Sequence, residues 1–138
     1  MRGVKTPCPV AKIDSALAPL LEKLLALGGH QTVLPQVEED VEKILERGRV
    51  FRGDRKALLM KGRVSHCHEN VAMLWDANRS LVDICTGYAL SRDGIWRQHS
   101  WGRARLSGRI VETTERRIMY FGFILSQKEA VVFAQNNS

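Results

Sequence analysis

The chain has 138 residues, 44% of them hydrophobic and 26% charged, which suits one domain with a core large enough to need no disulfide or metal staples. It carries 21 basic and 15 acidic residues, a surplus that attracts polyanions without selecting among them. No apolar run is long enough to span a bilayer, and the opening MRGVKTPCPVAKID has no signal-like apolar core, so a soluble, cytoplasmic protein with no membrane partner is expected.

Three cysteines (Cys8, Cys67, Cys85) are an odd number at irregular spacing, which speaks against a disulfide framework and for a reducing compartment. The arginines and lysines of 47–63 and 97–117 have few aromatics among them and read as solvated faces, which argues against a nucleic-acid partner.

Residues 1–48 are expected to form a helical cover and 49–138 a helix with an antiparallel sheet, in one α+β domain. Ile13, Leu17, Leu20, Leu21, Leu24 and Leu25 recur at helical spacing over 13–27, and Gly28-Gly29 supplies a stop. A second helix is expected from Pro35 to Arg47, with Val37, Val41, Ile44 and Leu45 facing inward and acidic residues near its start. Between Gly48 and Gly62 the apolar clusters shorten into strands or loops. A third helix starts near Ser65 or His66, buries Val71, Leu74 and Trp75, and ends by Asn78, so Cys67 lies in its first turn. Exposed backbone N–H groups at that position favour a thiolate.

Strands follow in LVDICTGYALS and GIWRQHSWG, separated by the turn Arg92-Asp93-Gly94. Ile95, Arg97, His99 and Trp101 share one face, and Trp96, Gln98 and Ser100 share the other. A third strand carries Ile110, Glu112 and Thr114. A tight loop at Ser107-Gly108 would strand Glu112 about 13 Å from His99, whereas a four-residue loop, Ala104 to Ser107, would set the two directly opposite at about 5 Å between Cβ atoms. The longer loop or a bulge is expected. A last strand, Ile118 to Leu125, leads to a closing helix announced by the capping box Ser126-Gln127-Lys128-Glu129.

Cysteine, histidine and carboxylate, in that order on helix, strand and strand, are what a thiol nucleophile needs: an imidazole to take its proton and an acid to fix the ring. His66 and His68 beside Cys67 raise a zinc site as a rival, but immediate neighbours rarely converge on one ion and no C-x-x-C or H-x-x-x-H spacing is present. Cys8 and Cys85 read as buried apolar residues.

These residues resemble the transglutaminase-like branch of the papain-like cysteine hydrolases over about half the chain. The family's cysteine at a helix start, G-Y-A-like strand, H-x-W-like strand and final W-x-x-x-D-x-T strand correspond to Cys67, Gly87-Tyr88-Ala89, His99-Ser100-Trp101 and Val111-Glu112-Thr113-Thr114. The resemblance implies Cys67 as nucleophile, His99 as general base and acid, and Glu112, where the family usually has aspartate, as orienting carboxylate. Lys61 stands where a papain-type glutamine would be. The Cys67 N–H is then a first oxyanion donor, with Gln98 and the Trp101 indole as candidates for a second. The expectation is a thiol-dependent hydrolase or acyltransferase acting on a peptide or small acyl substrate, with no cofactor and no metal, whose short cleft leaves room for a homo-oligomer to complete it. The alternative is a catalytically silent module of the same fold that binds a peptide or anionic partner.

Overall fold

A computed structural model describes residues 18–32, 41–53 and 57–137. The predicted helical residues 13–17 and 35–40, and Cys8, lie outside them. In chain order come α1 (helical over 18–27), β1 (Gln31–Thr32), α2 (Val41–Arg47), β2 (Arg49–Arg52), β3 (Leu58–Leu59), α3 (Cys67–Ala77), β4 (Val82–Leu90), β5 (Ile95–Ala104), β6 (Ile110–Glu112), β7 (Met119–Ile124) and α4 (Gln127–Asn136). The fold is α+β, as expected.

The strands form one sheet in the order β2-β7-β4-β5-β6-β3, antiparallel except where β3 joins β6, with β1 parallel to the start of β5. The two long central strands pair through nine residues, Val82 with Ala104 to Leu90 with Trp96. Period-two alternation then sorts their side chains onto two faces.

On one face Tyr88, Leu90, Trp96, Phe121 and Phe123 pack with Leu20 and Leu24 of α1 and Val41 and Ile44 of α2. Farther along, Ile84 meets Val71 and Trp75 of α3 and Ala130 of α4. Leu20 and Leu24 of the leucine stripe are therefore core, whereas Leu25 of the stripe and Leu45 of α2 prove exposed rather than inward. The Trp96 indole donates to Gly28 O at 2.9 Å and ties the end of α1 to β5. Ser126 and Glu129 form the capping box that opens α4.

The other face holds Cys85, Ala89, Trp101, Ile110 and Tyr120, with Phe51 of β2 packed against them. Phe51 and Trp101 meet edge to face at 5.7 Å. In a flat sheet β2 and β5, three strand spacings apart, would lie about 14 Å from each other, so the sheet must curl around this second core. Gly87 and Gly122 pair where β4 and β7 press together, and a Cβ on Gly122 would stand 2.2 Å from Thr86 O and 2.8 Å from the Trp101 ring. Side-chain-free positions there leave the concave face to the aromatic rings.

The β5–β6 hairpin departs from expectation. Gly102 pairs with Val111 and Arg103 with Ile110, and Ala104 N–H donates to Arg109 O, so the loop is the four residues 105–108, one place later than expected. Gly108 closes it with φ +74°, a conformation that glycine adopts without strain. In this register Glu112 lies level with Trp101, not directly opposite His99.

Candidate active site

His99 and Glu112 share the concave face as diagonal neighbours across β5 and β6, and their side chains close the gap. His99 Nε2 lies 2.9 Å from Glu112 Oε1 and 3.0 Å from Oε2, with both side chains buried. A glutamate spans the diagonal that a shorter acid would leave open. Glu112 also accepts from the Tyr120 hydroxyl at 2.7 Å, and from the Thr114 N–H and hydroxyl at 3.0 Å each. Burial alone would push its pKa up, but the bonds from His99, Tyr120 and Thr114 outweigh that and bring it down to about 2. Glu112 is a buried, fixed anion.

Cys67 arrives from the helix side. The segment before α3 runs along the end of β6, with Met60 N–H donating to Glu112 O and Gly62 N–H to Thr113 O, both at 2.8 Å. Ser65 then turns at φ +62°, a left-handed conformation that a residue other than glycine adopts only when its surroundings impose it. Asn70 imposes it. Its side chain accepts from Arg63 N–H at 3.0 Å and donates to Arg63 O at 2.8 Å, and it reaches Thr113 O at 3.5 Å.

Past Glu112 the β5 edge is no longer covered by β6. Cys67 takes that place, its thiol set against the His99 ring and the backbone N–H of Ser100. Since Nε2 faces Glu112, the imidazole presents Nδ1 to the thiol. Burial raises the thiol pKa, yet the bond to His99, the imidazole charge, the Ser100 N–H and the Arg117 guanidinium together hold it below the ordinary thiol value. Burial likewise disfavours charge on His99, and its bonds to Cys67 and Glu112 reverse this, so its pKa lies above the usual imidazole value. The arrangement favours a thiolate–imidazolium pair backed by a carboxylate.

These groups open into a cleft of about 450 Å³ lined by Gly62, Ser65, Cys67, Gln98, His99 and Thr114, with Lys61, Arg97, Glu115 and Arg117 at its walls. His66 caps α3 without a side-chain bond to the helix backbone, and the first intrahelical bond there is Asn70 N–H to His66 O at 2.8 Å. The N–H groups of Cys67, His68 and Glu69 therefore precede the helical ladder and are candidate donors to a developing oxyanion. Gln98 lines the same cleft. Trp101 does not: its indole is fully buried and stacks on the His99 ring at 6.0 Å, so the candidacy of Trp101 as a substrate or oxyanion contact is withdrawn. The alternation placed it correctly with His99, but that face of β5 turns into the sheet interior beyond His99.

The two flanking histidines point elsewhere. His66 Nδ1 meets Glu69 Oε1 at 2.8 Å, and His68 Nδ1 meets Ser100 Oγ at 2.7 Å, in a chain continued by Thr86 Oγ1 at 2.9 Å. That chain steadies Ser100, whose N–H serves the sulfur. No group of three or more His, Cys, Asp or Glu among the described residues is arranged to hold a metal ion. Cys85 is fully buried, and desolvation pushes its thiol up to about 12.

Tyr120, Asn70 and Arg117 escaped the sequence reading, in which Thr114 appeared only as a strand and motif residue without a role. Each acts through a partner distant in sequence or through a loop's shape, and only the alternation of Tyr120 with Gly122 hinted that it faces the same core as Glu112. Among the described residues no helix is long and apolar enough to cross a membrane. Compared with models of known protein families, with curated proteins and with solved structures, the chain matches none.

Proposed function

We propose that this protein is a thiol-dependent hydrolase or acyltransferase, built as a small papain-like or transglutaminase-like domain, with Cys67 as nucleophile, His99 as general base and acid, and Glu112 as the group that fixes the imidazole. The Cys67 thiol set against a His99 ring that is itself hydrogen-bonded to the buried Glu112, with Cys67 and His99 lining one cleft, carries the reading. Cys67 as thiolate attacks the carbonyl carbon of an amide, ester or thioester, forming a C–S bond while the carbonyl electrons move to oxygen. The Cys67 N–H and the Gln98 side chain receive that oxyanion. Imidazolium His99 gives its proton to the leaving group as the carbon–heteroatom bond breaks. Water or an amine, deprotonated by the now neutral His99, then attacks the thioester and restores the thiolate. Glu112 stays ionised throughout and keeps Nδ1 aimed at sulfur. The protein would work in the cytoplasm on a peptide or small acyl substrate.

The test is the rate of Cys67 alkylation by iodoacetamide near pH 6, followed peptide by peptide by mass spectrometry. An ordinary thiol of pKa about 8.5 is then only about 0.3% thiolate. Cys67 is expected to react at least about tenfold faster than a free peptide thiol, and to give a burst of p-nitrophenolate with p-nitrophenyl acetate as it becomes acylated. Labelling at the peptide rate would refute the reading and favour a catalytically silent binding module.

A further inference from the structure

Arg117 lines the cleft, and beyond its long-range pull on the Cys67 thiol the acyl-transfer chemistry gives it nothing to bind. Its side chain is only 10% exposed, yet every hydrogen bond it makes among the described residues goes to a neutral oxygen. Nε donates to Glu115 O at 3.1 Å, Nη1 to Ser91 Oγ at 3.0 Å and Nη2 to Thr114 Oγ1 at 3.1 Å. Among the described residues the one carboxylate within 4.0 Å is that of Glu115, at 4.0 Å and 72% exposed, too distant and too wet to compensate a buried charge.

Four other arginines each sit within 3 Å of a carboxylate. Arg47 meets Glu129 at 2.9 Å, Arg79 meets Asp76 at 2.7 Å, Arg97 meets Asp93 at 2.8 Å and Arg105 meets Asp83 at 2.8 Å. Burying a guanidinium among neutral acceptors costs stability unless an anion joins it. Three of its five N–H groups are engaged, which leaves two for a ligand.

Its position is indexed to the catalytic groups. Thr114 Oγ1 donates to Glu112 Oε2 at 3.0 Å and accepts from Arg117, so one hydroxyl holds both the orienting acid and the guanidinium. Arg117 lines the cleft together with Cys67, and exposed Lys61 adds a second positive charge to the cleft walls.

We propose that this cleft selects acyl substrates carrying a carboxylate within a few bonds of the scissile carbonyl, and that Arg117 binds that carboxylate while Lys61 attracts it. The proposal rests on Cys67 being the nucleophile. A carboxylate supplies the planar pair of acceptors that a guanidinium edge fits, and its docking places the neighbouring carbonyl beside the sulfur.

Iodoacetate and iodoacetamide test this without a known substrate, since they differ by one charge and alkylate the same sulfur. At neutral pH and low salt, the rate ratio of iodoacetate to iodoacetamide at Cys67 should exceed the ratio for a free peptide thiol by about tenfold or more, as expected of one charge-assisted contact. Acetate, but not acetamide, should slow iodoacetamide labelling of the unaltered protein. Arg117→Gln should return the ratio to the peptide value, while Arg79→Gln, which removes the same charge at the far end of α3, should leave it high.

A brisk iodoacetamide reaction with no preference for iodoacetate and no protection by acetate would overturn the carboxylate site alone. An equal fall of the ratio in Arg79→Gln would assign the preference to net charge and overturn it as well. Sluggish reaction with both reagents would overturn the nucleophile reading and this proposal with it. If Arg117→Gln fails to fold, protection by acetate in the unaltered protein still decides.

Discussion

Replacing Glu112 by glutamine removes one charge and almost no volume, and the structure states what that charge holds. The carboxylate takes hydrogen bonds from His99, Tyr120 and twice from Thr114, and its two oxygens are both occupied. An amide can place its oxygen toward Thr114, where the backbone N–H cannot turn away, and its NH2 toward Tyr120, whose hydroxyl can rotate to accept. The imidazolium then loses its counter-charge.

The depression of the Glu112 pKa from 4.5 to about 2 converts to about 3 kcal/mol of folding stability at neutral pH. Because the folded value is the lower one, that contribution is complete above about pH 4.5 and is lost as pH falls through about 2. Urea unfolding followed between about pH 2 and pH 7 should show the unaltered protein losing about 3 kcal/mol more than Glu112→Gln over that window. Glu112→Gln should be less stable by a similar amount at neutral pH and should lack this acid limb. Equal pH dependence in both proteins would show that the carboxylate is not held as an anion, and the account of the site would fail with it.

His99→Asn should slow iodoacetamide labelling of Cys67 near pH 6 by on the order of a hundredfold, the share of thiolate lost when the imidazole no longer holds the proton; unchanged labelling would remove His99 from the mechanism. The raised His99 pKa implies the opposite pH sign from Glu112. Its stabilising contribution is complete below about pH 6.5 and declines as pH rises through the folded value, so the unaltered protein should lose stability on the alkaline side in a way that His99→Asn does not. Glu112→Asp keeps the charge but not the reach. It should cost about tenfold or more in acylation rate and should destabilise by about 1–3 kcal/mol, read by p-nitrophenolate release and urea unfolding, and wild-type activity would show that the register leaves slack.

The order and types of the proposed catalytic groups could be read from the sequence because each belongs to a local pattern. Cys67 opens a helix whose apolar spacing is plain, and His99 and Glu112 sit on strands whose alternation fixes their faces relative to their own neighbours. What was not legible depends on how elements meet. The hairpin register turned on whether Ala104 lies inside the loop or closes it, which Gly108 decides by taking a left-handed φ at the last loop position. The burial of Trp101 follows from the curl of the sheet, and period-two spacing says which residues share a face but not which face is concave. Tyr120, Asn70 and Arg117 were hidden for the same reason.

The register and the identity of the acid explain one another. With β5 and β6 paired as Gly102 with Val111, the position directly opposite His99 is Thr114, beyond the last residue of β6, where the chain has already turned to meet the segment leading into α3. An acid at that position would stand at the mouth of the cleft, wet and mobile. Placing it one diagonal step inward, at Glu112, puts the carboxylate in the aromatic core, under the Tyr120 hydroxyl and out of water. Diagonal neighbours are about 7–8 Å apart rather than about 5 Å, and the extra methylene of glutamate recovers part of that difference. Thr114, left at the mouth, becomes the clip that joins Glu112 to Arg117. The same two-residue offset therefore buries the orienting acid and frees the rim of the cleft for a cation.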